Sequence, residues 1–405
     1  MAVTLNHPCM RVCLLPLIVS GLMLSSGCSS VSGLWSDSPG PQEPAAKPAA
    51  VAPVSTGHMS VLWRNNVDQR KPASPPGFSL PAAIKTAQGD LVIAGAQDKR
   101  LRVYSIGGSE LDRIALAHAS ESGALQLSNG LVVVGDVGGI LYGLDISNGR
   151  IAWQKQLSSA LIGVPAAVGD DFIIQTSNNQ IFRFTADGKK LWSYSGQLGG
   201  LGDHLSPSPV VYDGHVYAVF SNGDVIALKA DGGNFLWKRQ MLLSNNAAVM
   251  SEVKIPEASP LVIPASQSGR GEATLVVSIF QGMLSFISLQ DGSTLHQRKI
   301  SLKSQPLLID NTVFVADATG AVSALNANDA ATLWKKHVSD GELTGPVLWQ
   351  GNLWVADDQA RVYRLDKKGS LLASTKLDGR IDRAPVATTH GLLVRNNLGT
   401  LYMLR

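Results

Sequence analysis

The sequence predicts an all-β protein, an eight-bladed β-propeller of four-stranded antiparallel blades whose ring is closed by pairing of the N-terminal strand with the last blade. Three observations predict it. A strand, tight turn and strand unit, seen first at Gly143–Trp153, recurs along the chain. Its Trp positions lie roughly 40 residues apart, a spacing typical of propeller blades. The first and last strands each resemble half of one repeat.

Residues 1–27 are predicted to be a signal peptide outside the fold. Arg11 precedes an apolar run over residues 12–24, and small residues lead to Cys28. This arrangement resembles a bacterial lipoprotein signal, although Ser25 stands where such signals prefer Leu. The resemblance implies that Cys28 is lipidated and becomes the first mature residue. A plain secretory signal and a retained anchor are the alternatives, and the run is shorter than the ~20 residues of a membrane-spanning helix.

The three cysteines, Cys9, Cys13 and Cys28, all lie at the N-terminus. The predicted propeller therefore has no disulfide and no thiolate metal site. Residues 28–60 are rich in Ser, Pro, Ala and Gly, a composition that cannot bury enough apolar surface to form a packed core. We interpret them as a flexible tether that reaches about 90 Å when extended.

Residues 61–405 form the predicted propeller. The predicted propeller starts with a Trp strand at residues 62–64 and ends with an inner half-repeat at residues 399–405. Pairing of these two segments completes a blade and removes a sheet edge. A seven-bladed ring is the alternative if the first blade is degenerate. The paired apolar strands are predicted at residues 91–94 and 101–104, 131–134 and 140–144, 172–175 and 181–184, 216–219 and 225–228, 275–279 and 283–287, 312–315 and 322–325, 353–355 and 362–365, and 392–394 and 401–403.

A second recurring element is a residue followed by proline ahead of a blade. Proline lacks a backbone donor, so it suits the first residue of a strand that lines a central channel. The six copies are Val164-Pro165, Ser208-Pro209, Ser259-Pro260, Gln305-Pro306, Gly345-Pro346 and Ala384-Pro385. The repeat is interrupted by a long segment at residues 242–257 and a polar insertion at 267–272, and long loops of this kind are often functional.

The repeated tryptophans favour structural packing over ligand stacking. A Trp at a fixed register in each blade can pack between neighbouring sheets and bury a large apolar area. The predicted structural set is Trp63, Trp153, Trp192, Trp237 and Trp334.

The remaining side chains predict neither an enzyme nor a cofactor or metal site. The histidines are scattered without metal-ligand spacing, and we find no nucleophile elbow or phosphate-binding loop. Asp136, Asp317 and Asp357 recur after the second strand of their blades, which favours turn residues over metal ligands. A net charge of +3 without long basic runs argues against a nucleic-acid surface.

The repeat resembles the PQQ-type repeat of quinoprotein dehydrogenases, best in Ala227–Trp237 and Gly143–Trp153. Those enzymes hold their quinone with adjacent cysteines, which the mature chain lacks. The missing cysteines argue against an active quinoprotein dehydrogenase. A quinoprotein-related or small-ligand-binding periplasmic propeller stays an alternative function, and an envelope-polysaccharide-binding propeller is a further one.

The whole chain resembles the BamB family of outer-membrane protein assembly factors. The resemblance rests on the leader, the tether, the repeats and strings such as residues 208–211, 222–224, 236–239 and 345–348. It implies a non-enzymatic scaffold lipoprotein of the β-barrel assembly (BAM) machinery, located at the outer membrane and facing the periplasm. Its implied partners are a POTRA domain of BamA and the other BAM lipoproteins, which it joins as a monomer, and the membrane, through lipid on Cys28. Ser29 after the lipidated cysteine favours the outer membrane under enteric-type sorting.

The resemblance also implies two partner-binding loops. The first contains Leu201, Asp203, His204 and Leu205, and the second contains Glu257. His204 stands where the family carries an arginine. A neutral histidine cannot supply the charge-assisted contact of a guanidinium, so we expect the partner surface or the loop contact to differ here.

Overall fold

The computed structural model describes residues 59–68, 79–197, 207–241 and 256–405. All of these residues belong to one unit, Ala50–Arg405. The predicted signal peptide and nearly all of the predicted tether, including Cys28, lie outside the described residues. Within the described part, no helix is long and apolar enough to cross a membrane.

The described residues form short strands and one 3-10 turn, Ile146–Asn148. The first half of the chain contains β1 (Val61–Asn66), β2 (Ala82–Thr86), β3 (Gly89–Gly95), β4 (Arg100–Ser105), β5 (Glu110–Ala115), β6 (Leu125–Gln126), β7 (Val132–Gly135), β8 (Ile140–Asp145), β9 (Arg150–Gln156), β10 (Ala166–Val168), β11 (Asp171–Gln175), β12 (Gln180–Phe184), β13 (Lys190–Ser195), β14 (Val210–Tyr212), β15 (His215–Val219), β16 (Asp224–Lys229) and β17 (Phe235–Gln240). The second half contains β18 (Leu261–Ile263), β19 (Thr274–Ser278), β20 (Leu284–Ser288), β21 (Thr294–Arg298), β22 (Leu307–Ile309), β23 (Thr312–Ala316), β24 (Ala321–Asn326), β25 (Thr332–His337), β26 (Leu343–Trp349), β27 (Asn352–Asp357), β28 (Arg361–Leu365), β29 (Leu371–Lys376), β30 (Val386–Ala387), β31 (Leu392–Arg395) and β32 (Thr400–Leu404).

These strands form eight four-stranded antiparallel sheets, which confirms the predicted eight-bladed propeller. Blade one, β2 to β5, is a complete sheet, so the seven-bladed alternative is wrong. Blades two to seven follow in chain order, each from its innermost to its outermost strand. Blade eight has the order β30-β31-β32-β1, so the N-terminal strand supplies its outer strand as predicted.

The seam of the ring is held by more than strand pairing. Trp63 of β1 lies opposite Met403 of β32. Just beyond β1, the carboxylate of Asp68 accepts a hydrogen bond of 2.7 Å from Arg395 of β31, and both side chains are almost completely buried. Arg395 also donates to the carbonyl oxygen of Gly95 in blade one at 2.6 Å. One guanidinium therefore links the chain start, blade eight and blade one.

The apolar core lies between the blades. Each sheet is apolar on both faces, so each must be covered by its neighbours. The described residues form eight buried clusters, and each joins two adjacent blades. The cluster of Val92 and Leu393, for example, joins blades one and eight.

The tryptophans of the outer strands contact the following blade. Each indole N–H donates to a backbone carbonyl in the turn before that blade's outer strand. The ring also covers a turn glycine, as Trp153 covers Gly188, where an added Cβ would lie 2.8 Å from the ring. The five donor and acceptor pairs are Trp63 and Ile106 at 2.9 Å, Trp153 and Ala186 at 3.0 Å, Trp192 and Ala230 at 2.9 Å, Trp237 and Leu289 at 3.0 Å, and Trp334 and Lys367 at 3.2 Å.

The prolines of the second element lie one residue earlier than expected. Five of them precede the first residue of an innermost strand, and Pro346 lies within β26, where the register shifts between Thr344 and Val347. The Gly345-Pro346 peptide bond is cis. Because the missing N–H falls outside the ladder in the five regular blades, proline costs the sheet no hydrogen bond there.

Candidate functional site: the central cavity and its surrounding face

The segments that enter the innermost strands surround a cavity of about 380 Å³ on the ring axis. Every outermost strand ends, and every innermost strand begins, on the same face of the ring, because each blade has an even number of alternating strands. The cavity therefore marks the centre of the face that carries these connections. Its wall includes Leu80, Gly123 and residues 162–165, 208–210, 303–305 and 382–384, with Glu257 and Ser259.

Hydroxyl groups link adjacent blades around this cavity. The backbone N–H of Val164 donates to the Ser208 hydroxyl at 2.7 Å, and the N–H of Ser208 donates to the Ser259 hydroxyl at 2.9 Å. Across blades six and seven, the N–H of Gly345 donates to the Ser304 hydroxyl at 2.7 Å. These serines precede or adjoin the prolines, so the motif supplies an acceptor for the neighbouring blade as well as a strand start.

Charged groups also form part of the cavity wall. Lys303 pairs with Glu342 and lies 5.0 Å from the centre of the Phe280 ring. Arg380 donates to Asp382 at 2.6 Å, and this hydrogen bond raises the pKa of the guanidinium. The ammonium of Lys303 and the carboxylate of Asp382 are thus engaged with protein groups, which favours a structural role for them.

Glu257, predicted to contact a partner, lies in this wall with only 7% of the residue exposed. The other predicted partner-binding residues, Leu201, Asp203, His204 and Leu205, lie outside the described residues. They belong to the connection between β13, which ends on the face described above, and β14, which begins on it. The structure does not bring Glu257 to the surface as an open contact.

The repeated aspartates serve as buried turn acceptors. One carboxylate oxygen of Asp136 accepts from the N–H of Ile140 at 2.8 Å, and the other accepts from the Tyr142 hydroxyl at 2.8 Å. Asp357 and Tyr363 repeat this pair at 2.8 Å. Burial raises the pKa of Tyr142 to about 12, so the hydroxyl stays protonated and donates. Among the described residues, no group of three or more His, Cys, Asp or Glu is placed to hold a metal ion.

The serine hydroxyls and the pairing of Lys303 with Glu342 were missed by the sequence reasoning. The serine signal was present, since Ser208 and Ser259 both precede prolines in corresponding places. No sequence signal marks the Lys303 pair, because its members are 39 residues apart and meet only through ring geometry.

The chain is similar in sequence to known proteins over most of its length. The family model of the outer membrane protein assembly factor BamB matches residues 60–336 and 318–404. BamB of Escherichia coli (strain K12) is 24% identical over 334 residues, which cover 81% of this chain and 83% of that protein. BamB of Salmonella typhimurium is 23% identical over 404 residues, covering 98% and 99%.

Two solved structures have a similar fold. The crystal structure of BamB from Moraxella catarrhalis matches with a TM-score of 0.72 at 19% identity, over 86% of this chain and 100% of that chain. The computationally designed Ika8 protein matches with a TM-score of 0.61 at 14% identity, over 81% and 97%. At these identities the two structures bear on the fold alone.

Proposed function

The chain belongs to the BamB family of outer membrane protein assembly factors, and on that premise we propose that it is a non-enzymatic scaffold lipoprotein of the BAM machinery. The observation that carries the proposal is the family match over residues 60–336 and 318–404, which spans the whole ring of blades. In this role the protein assists folding and insertion of outer-membrane proteins by holding other components in place.

A scaffold needs a rigid body, and the inter-blade contacts supply one. Each interface combines an apolar cluster with hydrogen bonds, such as the Trp153 indole to Ala186 and the Val164 N–H to Ser208. A binding surface on such a body loses little conformational entropy when a partner docks. The loops between blades are then presented at fixed separations.

The proposed partner is a POTRA domain of BamA, bound on the face that surrounds the cavity. The connection that contains Leu201, Asp203, His204 and Leu205 joins blades three and four, and the next connection leads to Glu257. The strands that these connections join end and begin on one face of the ring and belong to adjacent blades, so we expect one small domain to contact both connections. Because Glu257 is buried, we assign it to support of the second loop from below.

Affinity capture of the tagged full chain from detergent-solubilised envelopes tests this proposal. We expect recovery of BamA and its companion lipoproteins, and we expect His204→Ala to weaken BamA binding about fivefold, the effect of losing one hydrogen bond of about 1 kcal/mol. Glu257→Gln keeps the side-chain volume and tests the support role. His390→Ala is the control, since His390 lies in the β30–β31 turn on the opposite face.

Capture without BamA under gentle conditions would count against the scaffold role. Equal BamA binding by native protein, His204→Ala and Glu257→Gln would leave the role standing and overturn the loop assignment. Unchanged thermal midpoints for these variants are required for either conclusion.

The location follows from the proposed leader. Lipid on Cys28 holds the protein at the periplasmic side of the outer membrane, and residues 29–60 let the ring move away from the bilayer surface. The residues on which this part of the proposal depends lie outside the described ranges, so it rests on the sequence resemblance.

The alternative is a small-ligand-binding or quinone-binding propeller that uses the cavity of about 380 Å³. Its volume lies within the range of small-molecule sites. An absorption spectrum of the purified protein with added quinone and calcium tests it, and a bound chromophore that survives gel filtration would favour this alternative.

A further inference from the structure

A second concave surface lies at the rim of the ring, between blades two and three. This groove has a volume of about 760 Å³ and is distinct from the central cavity. Its walls come from β9 of blade two and from β12 and β13 of blade three. The residues that matter to its chemistry are Lys155, Phe182, Phe184, Lys189 and Lys190.

In blade two, a repeat position that faces the next blade is held by a lysine that lines the groove. The residue two places after the Trp position of an outermost strand, as Lys155 follows Trp153, lies on the same face of the strand as that Trp and is directed toward the next blade. In blade one it is Ile114, which is 4% exposed and packs in a cluster with Tyr142 of blade two. In blade three it is Tyr194, whose ring stacks 6.4 Å from Phe220 of blade four. In blade two the position is held by Lys155.

In blades four and eight, a polar residue at this position contacts the next blade. In blade eight, Asn65 donates to the carbonyl oxygen of Gly108 at 2.7 Å. In blade four, Arg239 donates to the hydroxyl of Thr294 at 3.3 Å. The ammonium of Lys155, in contrast, forms no hydrogen bond or ion pair with any residue in the described ranges, and the side chain is exposed. Blade two, like blade six with Lys336, therefore presents an exposed lysine at a position where blades one, three, four and eight contact the next blade.

The floor beneath Lys155 is aromatic. Phe182 and Phe184 lie 6.0 Å apart, and Phe184 continues through Phe172 to Trp153 at ring separations of 5.7 and 6.1 Å. Phe182 holds the position of Tyr142 in blade two, whose hydroxyl is bonded to a buried aspartate. Because Phe182 has no hydroxyl, this part of the floor offers only an apolar surface.

The opposite wall is also basic. Lys190 lies opposite Phe184 at the lower end of β12, and Lys189 precedes it. Within the described residues the ammonium of Lys190 forms no ion pair. Asp187 is the single carboxylate in the lining, so the groove carries an excess of positive charge over an aromatic floor.

We propose that this groove binds an extended acidic peptide segment of a partner protein, with an apolar side chain on Phe182 and carboxylates paired with Lys155 and Lys190. Lys155 pairs with Leu141, whose counterpart in β12 is Ile181, and Lys190 pairs with Phe184. By register the two lysines are therefore about three strand residues apart, or roughly 10 Å. Carboxylates at alternate positions of an extended chain are about 7 Å apart, a separation that the two flexible lysine side chains can reach. A single lipid headgroup would favour one cluster of cations over two separated ones. The proposal concerns the rim of the ring and does not depend on partner binding at the face.

Fluorescence anisotropy with the full chain tests it. The probe is a fluorescein-labelled seven-residue peptide of alternating Glu and Phe, and the control peptide has Lys in place of Glu. We expect saturable binding of the acidic peptide alone, weakening as salt is raised because the contacts are between exposed charges.

Lys155→Ile introduces the residue of blade one and fills the groove, and Lys190→Glu reverses the charge of the opposite wall. We expect each to reduce affinity at least tenfold. Lys336→Ile is the matched control, because Lys336 holds the same register position in blade six, and its affinity should be unchanged. All of these lysines are exposed, so the variants should fold, and circular dichroism checks this.

Three results would overturn the proposal: no saturable binding of the acidic peptide, equal binding of the two peptides, or full affinity of both groove variants. Binding of phosphatidylglycerol vesicles that is lost in Lys155→Ile, without peptide binding, would assign the groove to lipid instead. Capture of BamA by Lys155→Ile should remain normal, which separates failure here from failure of the scaffold role.

Discussion

Removal of the guanidinium at the ring seam should destabilise the whole propeller. Arg395→Met deletes the hydrogen bonds to Asp68 and to the Gly95 carbonyl and keeps most of the side-chain volume. The Asp68 side chain is completely buried and keeps only the N–H of Gln97, at 3.1 Å, as a hydrogen-bond donor within the described ranges. Breaking a buried ion pair in this way costs about 3–5 kcal/mol because one charge is left uncompensated.

The expected shift in melting temperature follows from the size of the ring. With about 2.1 cal/mol/K of unfolding entropy per residue, a ring of roughly 350 residues loses about 0.7 kcal/mol per degree near Tm. A loss of 3–5 kcal/mol therefore lowers Tm by about 4–7 °C. Hydrogen exchange should show reduced protection first in β1, because the ion pair of Asp68 with Arg395 holds the chain just beyond this N-terminal strand.

Two further variants define the outcome. Arg64→Met, in β1, breaks the exposed Arg64–Asp378 pair of 3.7 Å and should cost less than about 1 kcal/mol. The double variant Asp68→Leu with Arg395→Met removes both charges and should recover much of the loss. A cost below about 1 kcal/mol for Arg395→Met would refute the reasoning. So would a double variant whose cost equals the sum of the costs of Asp68→Leu and Arg395→Met measured separately.

Three other predictions follow. Burial raises the pKa of three tyrosines to about 12; they are Tyr104, Tyr142 and Tyr217. Since unfolded tyrosines ionise near pH 10 and the native ones stay protonated, the free energy of unfolding should fall between about pH 10 and 12. Urea unfolding over that range checks this, and a flat profile would contradict it. Ser208→Ala should cost about 1–2 kcal/mol because the Val164 N–H loses its acceptor, whereas Ser128→Ala at an exposed site should cost under about 0.5 kcal/mol, both measured by urea unfolding. Cys28→Ala should abolish palmitate labelling and move the protein from the membrane to the soluble fraction on fractionation, and a variant that remains labelled would contradict lipidation at this residue.

The blade pattern could be predicted from the sequence to within one or two residues. Short apolar runs with a glycine turn and a Trp at constant spacing specify a strand pair locally, so the predicted pair at residues 172–175 and 181–184 agrees with β11 and β12 to within one residue. The incomplete ends predicted closure because an unpaired half-repeat leaves an open edge. Both inferences depend on local pattern and on strand pairing alone.

The sites could be predicted much less well. Glu257 looked like an open loop carboxylate, but the ring places it in the cavity wall. Lys155 carried no signal of its own, since its significance depends on Ile114 and Tyr194 holding the same register in neighbouring blades. Sequence distance hides such comparisons until the register is known.

The sequence by itself determined the fold class, the repeating strand pattern, the closure and the family resemblance, and the structure then fixed the number of blades at eight. It did so because a repeat encodes the same local structure each time it occurs. Only the tertiary structure decided which polar groups face each other across blades, as in the pairs of Asp68 with Arg395 and Lys303 with Glu342. These contacts arise from the curvature of the ring, which brings together residues from separate repeats, and burial then decides whether each charge is held inside the protein or left free at its surface.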